Sequence, residues 1–147
     1  KLYAVELEKK NIKLVYDAQK YKDLNVLVEP ISFNNQVLGN AVSNSIKFSH
    51  PGSTITIRVS QGDQHFHIVE VCDQGIGMPP LLKESLFDIN KKTSRAGTNG
   101  EIGTGFGMHI MKSFVEMYHG KVEVESNDET QPLPGTVIKF LLKAERI

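Results

Sequence analysis

The 147-residue sequence has no tryptophan, a single cysteine and no net charge, 17 Lys+Arg balancing 17 Asp+Glu. The lone thiol, Cys72, excludes an internal disulfide framework and fits a reducing compartment. Balanced charge offers nothing to nucleic acid or to an anionic membrane surface. No apolar run approaches the roughly 20 residues of a membrane helix. The histidines at 50, 65, 67, 109 and 119 lack metal-ligand spacing with Cys72 and read as core or surface residues. There is no internal repeat and no low-complexity tract. The length favours one domain with a real core. Because the chain begins at Lys1 rather than methionine, it is expected to be part of a longer protein, with residues 1–10 (KLYAVELEKK) as the tail of an upstream helix carrying Leu2, Val5 and Leu7.

Period-two alternation predicts strands at residues 12–16 and 54–60, a hairpin-like turn returns the chain in a strand at 66–72, and two more strands are expected at 121–125 and 136–142, with a further candidate at 25–29. A helix is expected over residues 32–48, capped by Ser32, and another over 104–118, ended by His119-Gly120. The second helix should bury Ile110, Met111, Phe114, Val115 and Tyr118. Residues 74–103 are rich in Gly, Pro, Thr, Ser and Asn, with one short amphipathic piece at 79–87. So long a connection suits a functional lid, placed at about residues 78–102 and expected to be open to proteolysis. The loop SNDETQPLPG reads as a plain surface turn. Strands come in adjacent pairs, which predicts an α/β two-layer sandwich, a mixed sheet of about five strands with helices on one face.

Three constellations carry chemistry. Asn40, Asn44 and Lys47 fall at i, i+4 and i+7, so one helix face presents two amides and an ammonium. Asn44 offers the neutral oxygen that Mg²⁺ accepts beside water and phosphate. Lys47 can meet a phosphate as a point charge. Next comes Asp73-Gln-Gly75-Ile76-Gly77 at the end of a strand. A carboxylate held there needs donors. The amine of adenine is one, and Gly75 and Gly77 would let backbone approach a flat base. The rival reading is a turn aspartate capping its own loop amides. The third is Gly103-Thr104-Gly105-Phe106-Gly107. Bare amides where a helix begins make an anion site, to which Thr104 can add a hydroxyl. Lys91, Lys92 and Arg95 precede it and can fold over phosphates, or stay in solvent. No Gly-Lys-Ser/Thr occurs, which excludes a P-loop, and Met108 stands where a dinucleotide fingerprint needs glycine.

With these motifs in order, the chain resembles the catalytic and ATP-binding domain of sensor histidine kinases, within the GHKL ATPase superfamily. Residues 40–48 (NAVSNSIKF) look like the N box, 73–77 like the first glycine box, Phe87 like the start of the F box and 103–108 like the second glycine box. The resemblance spans about residues 11–142. It implies a Bergerat fold over residues 11–147, with an ATP lid between F box and second glycine box. It also implies that Asn44 holds Mg²⁺, Asp73 binds the adenine amine, Lys47 and Lys92 face phosphates, and Phe48 flanks the pocket. Four positions depart from the pattern: Phe106 and Met108 replace leucines, Asn90 stands near a missing second aromatic, and Ser45 replaces alanine.

Asn40 separates branches of the superfamily. Relatives that hydrolyse ATP or phosphorylate hydroxyls carry glutamate four residues before the metal asparagine; an amide cannot act as that general base. A neutral imidazole needs no such base. The resemblance thus implies phosphoryl transfer to histidine by positioning and charge stabilisation, with Asn40, Asn44 and Lys47 at the reacting end. No histidine here lies in a phosphoacceptor pattern. The acceptor is expected on a separate dimerisation domain of the same protein, with a response regulator downstream. The domain itself is expected to be monomeric and cytoplasmic. Two alternatives are a nucleotide-binding regulatory module without transfer, and a GHKL ATPase of the chaperone or topoisomerase type.

Overall fold

Alternation along the strands sets the architecture. The computed structural model describes residues 3–21, 23–63, 65–88, 95–100 and 106–145. Strands β1 (Lys13–Asp17), β2 (Thr54–Gln61), β3 (Phe66–Asp73), β4 (Lys121–Asn127) and β5 (Gly135–Lys143) form one sheet in the order β1-β2-β3-β5-β4. The β1–β2 pair is parallel and the others are antiparallel, so the sheet is mixed as expected. One face carries Ile55 and Ile57 of β2, Val71 of β3, and Ile138, Phe140 and Leu142 of β5, all buried under the helices. The other face is mixed, with Val15, Ile68, Val137 and Leu141 set among polar and charged residues. Across all five strands its paired residues Asp17, Arg58, Glu70, Lys139 and Glu123 alternate in sign. Arg58 lies 3.7 Å from Asp17, and Lys139 donates to Glu125 at 2.9 Å. Cys72 shares this face half-buried, and burial pushes its thiol above the ordinary value. A raised value lowers the share of reactive thiolate.

The candidate strand at 25–29 is only an isolated bridge, Val26 to Ala144, with Leu27 N–H donating to Lys143 O. Both long edges of β5 are already taken, by β3 and β4, and only its C-terminal end has room. Pro30 then removes the next donor.

A continuous helical run covers the core face. It consists of α2 (Pro30–Ser32), a π-helical stretch (Phe33–Leu38) and α3 (Gly39–Phe48). The cap is Glu29, not Ser32: its carboxylate accepts from Ile31 N–H at 2.8 Å and Ser32 N–H at 2.9 Å, with Pro30 in the first turn. Proline has no N–H to satisfy there, so the run starts two residues early. Ser32 bonds instead to the Tyr118 hydroxyl. Phe33 sits edge-on to Phe140 and Tyr118, with ring centroids 6.4 and 6.5 Å away. Since the π stretch ends at Leu38, the four- and seven-residue spacings from Asn40 to Lys47 stay purely α-helical.

A short helix, α4 (Pro80–Ser85), occupies the amphipathic piece, and α5 (Gly107–Met117) packs beside α3 and on β4. α5 buries Met108, Met111 and Val115, whereas Ile110 is exposed, one position off the buried stripe. His119, not Gly120, adopts the left-handed φ of 63° at its end. A side chain at Gly120 would strike Leu141 O. The N-terminal α1 (Ala4–Lys9) packs Leu7 into the core and leaves Val5 exposed. Leu2 lies outside the described residues. Among the described residues no helix is long and apolar enough to cross a membrane.

Lys10 follows α1 and is only 4% exposed. Its ammonium donates to Ile46 O at 2.7 Å, Lys47 O at 3.1 Å, Ser49 O at 3.0 Å and Thr98 Oγ1 at 2.7 Å. A cation at the C-terminus of α3 meets both the orphan carbonyls and the negative end of the helix dipole. Lys10→Met is expected to cost about 2–4 kcal/mol, because buried acceptors lose a charged donor. Urea unfolding measures the loss, and amide exchange at Thr98, whose N–H donates to Lys47 O at 3.0 Å, should accelerate. An unchanged midpoint would show that water replaces the ammonium at no cost.

Candidate functional site

The end of β3 and the C-terminal half of α3 meet over the apolar face of the sheet. Asp73 follows Val71 on the helix-facing side of β3. Its Oδ1 accepts from Gly75 N–H at 2.9 Å and from Thr136 N–H at 3.2 Å. The capping reading of this aspartate therefore holds for one oxygen. Oδ2 makes no hydrogen bond of normal geometry among the described residues. The buried Ser45 hydroxyl, which has no bonded partner there, is close enough to act on the carboxyl. Burial pushes the Asp73 carboxyl above its ordinary value; the Gly75 N–H, the Ser45 hydroxyl, the Thr136 N–H and the Arg95 charge pull back.

That shift has a sign in stability. Folded Asp73 keeps its proton to higher pH than an unfolded aspartate, whose reference value is 3.8. Stability is therefore greater below the unfolded value and declines as pH rises through the raised folded one. Asp73→Asn, which carries no charge to bury, is expected to gain on the parent across that window. Paired urea midpoints from pH 3 upward (roughly the unfolded aspartate range) should separate in favour of asparagine. A constant difference would place the carboxylate in solvent.

The glycines around Asp73 pack the loop onto its own protein. Ile76 N–H donates to Phe48 O at 3.0 Å, and a Cβ on Gly75 would lie 2.2 Å from that same oxygen. Gly77 has φ 63°, and a Cβ there would lie 1.7 Å from Asn127 O. Met78 N–H donates to Ser126 Oγ at 2.9 Å. The direction a side chain would take at each of these glycines is filled by backbone of α3 and β4. The loop after β4 is likewise more than a surface turn, since its base props the glycine turn.

Asn44 makes no side-chain hydrogen bond among the described residues and is half-buried on α3. Its amide oxygen is available to a hard cation. Asn40 Nδ2 donates to Gln36 O at 2.6 Å, which leaves its carbonyl oxygen toward α5: a Cβ on Gly107 would come within 3.3 Å of it. The N box and the start of α5 thus adjoin. The Lys47 ammonium stands 5.0 Å from the centroid of the Phe48 ring. Lys92, Gly103, Thr104 and Gly105 lie outside the described residues, as do Lys91 and Asn90. α5 begins at Gly107, which lies in its first turn. Phe106 is 57% exposed, with its ring 6.4 Å from that of His109.

Three contributors escaped the sequence. Thr136 is brought to Asp73 by the β3–β5 register. Lys10 arrives from the far end of the chain. Arg95, read as a phosphate cover, stacks on Phe48 with its guanidinium carbon 4.4 Å from the ring centroid and donates to Gly77 O at 2.6 Å. No periodicity encodes contacts of this range. Ser45 was visible only as a hydroxyl in place of alanine.

The arrangement offers a largely desolvated acceptor at the end of β3, an amide oxygen without a partner among the described residues and an ammonium one turn on, and a helix N-terminus facing Asn40. Chemically, a carboxylate can accept from an amine, an amide oxygen can ligate a hard cation, and an ammonium with a helix N-terminus can meet an anion. A model of the histidine kinase-, DNA gyrase B-, and HSP90-like ATPases matches residues 31–146. Among curated relatives, the circadian input-output histidine kinase CikA of Synechococcus elongatus is 32% identical over 116 residues, 78% of this chain and 15% of its own length. The sensor protein SrrB of Staphylococcus aureus is 33% identical over 92 residues, 63% of this chain and 16% of its own. The chain thus spans under a fifth of these relatives. Among solved structures, the catalytic domain of histidine kinase ThkA in a nucleotide-free form superimposes with a TM-score of 0.75 at 26% identity, covering 97% of this chain and 85% of that one. The mycobacterial sensor histidine kinase MprB gives a TM-score of 0.77 at 24% identity, covering 99% and 91%, a likeness of fold.

Proposed function

Since the chain belongs to the histidine kinase-, DNA gyrase B-, and HSP90-like ATPase family, on the sensor histidine kinase side of it, we propose that it binds Mg-ATP and passes the γ-phosphoryl group to a histidine on a separate dimerisation domain, in two-component signalling. The observation that carries the base site is Asp73: a buried carboxyl, fixed through Oδ1 by two backbone N–H groups, with Oδ2 left to accept the amine of adenine. Guanine would set a carbonyl against that oxygen, leaving two acceptors unpaired. Asn44 would hold the metal, which neutralises phosphate charge when bound. Lys47 would meet phosphate oxygens, with the first turn of α5 at Gly107 and the motif residues Gly103, Thr104, Gly105 and Phe106 alongside, and Lys92 over them.

Asn40 supports transfer over hydrolysis. Its Nδ2 is committed to Gln36 O, and its remaining carbonyl oxygen is too weak a base to deprotonate water. It can accept a hydrogen bond and help orient, which suits an acceptor that is already nucleophilic. Such a domain works on the cytoplasmic side, where ATP is supplied, and reaches a response regulator through the phosphorylated histidine.

Calorimetric titration with a non-hydrolysable ATP analogue, with and without Mg²⁺ and with GTP as control, tests the pocket. Adenine-selective binding is expected; its absence would refute the reading. Adding a dimerisation domain with its histidine should then yield acid-labile phosphohistidine. Binding without that product would favour a regulatory module. Asn44→Ala is expected to lower Mg²⁺-dependent affinity roughly tenfold or more, the scale of a lost bond to a charged group. Metal-free affinity should be unchanged, and equal loss in both conditions would remove Asn44 from the metal.

A further inference from the structure

Arg95 is engaged by the protein's own ring and backbone. Its guanidinium lies 4.4 Å above the Phe48 ring, donates to Gly77 O at 2.6 Å and is half-buried, with its charge felt at Asp73. We propose that Arg95 is a built-in occupant of the base site, a planar cation that takes the place of adenine between Phe48 and Asp73 until the nucleotide displaces it. This rests on the nucleotide reading above and adds to it a determinant of affinity.

The chemistry of the two groups matches. A guanidinium and the aminopyrimidine edge of adenine are both flat, both stack on an aromatic face, and both turn N–H donors toward an acceptor. The segment bearing Arg95 is held close. Thr98 N–H donates to Lys47 O at 3.0 Å, and Thr98 Oγ1 donates to Ser49 O at 2.6 Å. An arginine three residues from that tether returns to the ring whenever the base leaves. Entry of adenine therefore exchanges one stack for another and strips Gly77 O of its donor. Net affinity is lower than the pocket alone would give.

The test compares the parent chain with Arg95→Ala and Arg95→Lys, titrated with adenosine and with ATP, after thermal melts establish that each is folded. Adenosine has no phosphate, so it reads the base site alone. Arg95→Ala is expected to bind it about 5- to 20-fold more tightly, the scale of a cation–π contact with one charged hydrogen bond removed. Arg95→Lys, charged but not planar, should fall between. Unchanged adenosine affinity would overturn the proposal. So would weaker ATP binding with adenosine unaffected, which would make Arg95 a phosphate ligand. A carboxyl ¹³C titration of Asp73 needs no nucleotide: it should move up in Arg95→Ala, and no movement would also overturn the proposal. If neither ligand binds any of the chains, the nucleotide reading itself falls, a result distinct from binding that ignores Arg95.

Discussion

Asp73→Asn should weaken ATP binding by about 1.5–3 kcal/mol, roughly 10- to 150-fold, while leaving the fold intact. The asparagine carbonyl can take over the two bonds that Asp73 Oδ1 accepts from Gly75 and Thr136. Its NH₂ then occupies the position of Oδ2 and faces the adenine amine, donor against donor. The loss therefore exceeds the removal of a charge: an attractive pair becomes two unpaired donors. The same NH₂ suits the guanine carbonyl, so preference for ATP over GTP should collapse along with ATP affinity. A melt of the variant should show no loss of stability, because burial already disfavours the Asp73 charge. Calorimetry with both nucleotides decides the matter. Retained ATP affinity would remove Asp73 from the base site, and parallel loss of affinity and melting temperature would make it a purely structural residue.

Gly77→Ala should be the most destabilising small substitution in the glycine turn, at about 3 kcal/mol or more. For a chain of this length that is roughly 6–12 °C in Tm. Two effects combine. The left-handed φ of 63° costs a Cβ-bearing residue about 1–2 kcal/mol by itself. The added Cβ would also lie 1.7 Å from Asn127 O and 2.4 Å from its carbonyl carbon. Backbone must therefore move, and with it the peptide that leads from Asp73. Gly52 supplies the control. It has φ 84°, and a methyl there would meet no atom within 4 Å, so Gly52→Ala should show the conformational cost without the clash. Equal melting losses at the two positions would mean that the β4 end yields freely. A larger loss at Gly77, with nucleotide affinity falling beside it, would tie the turn to the site.

Much of the sheet was legible in local pattern. Strands β2 and β4 alternate apolar and polar residues, β3 and β5 are short apolar runs bounded by turns, and all four lie within two residues of the bounds that the sequence predicts. The segment at 25–29 has the same composition but no open edge of β5 beside it, and composition carries no information about vacancies. The run from Pro30 began earlier than Ser32 suggested because glutamate and proline together outdo a serine cap. Ile110 lies one residue outside the buried stripe of α5, which its apolar character does not reveal. The candidate site divides the same way. Asn40, Asn44, Lys47 and Asp73 were legible because local spacing places them. Thr136, Lys10, Asn127 and the seat of Arg95 were not, because each depends on which distant segments the fold brings together. Gly75 and Gly77 are legible as glycines that a site needs, but the close approach of Phe48 and Asn127 in their side-chain direction is not, because it too is a contact between distant segments.

The row Asp17–Arg58–Glu70–Lys139–Glu123 has a consequence for strand registration. Apolar alternation fixes only parity: sliding a strand by one residue turns its core face to water, whereas sliding it by two restores the pattern. Registers two apart are therefore nearly degenerate for the buried side chains. On the opposite face they are not. A two-residue slip of β3 against β2 would set Arg58 opposite Ile68 or Cys72 instead of Glu70, and a similar slip of β5 would part Glu70 from Lys139. Each exposed pair is worth little to stability, yet together they select one alignment among those that the core tolerates. Since Asp73 meets Thr136 only in that alignment, charges on the face turned away from the site decide which residues assemble it.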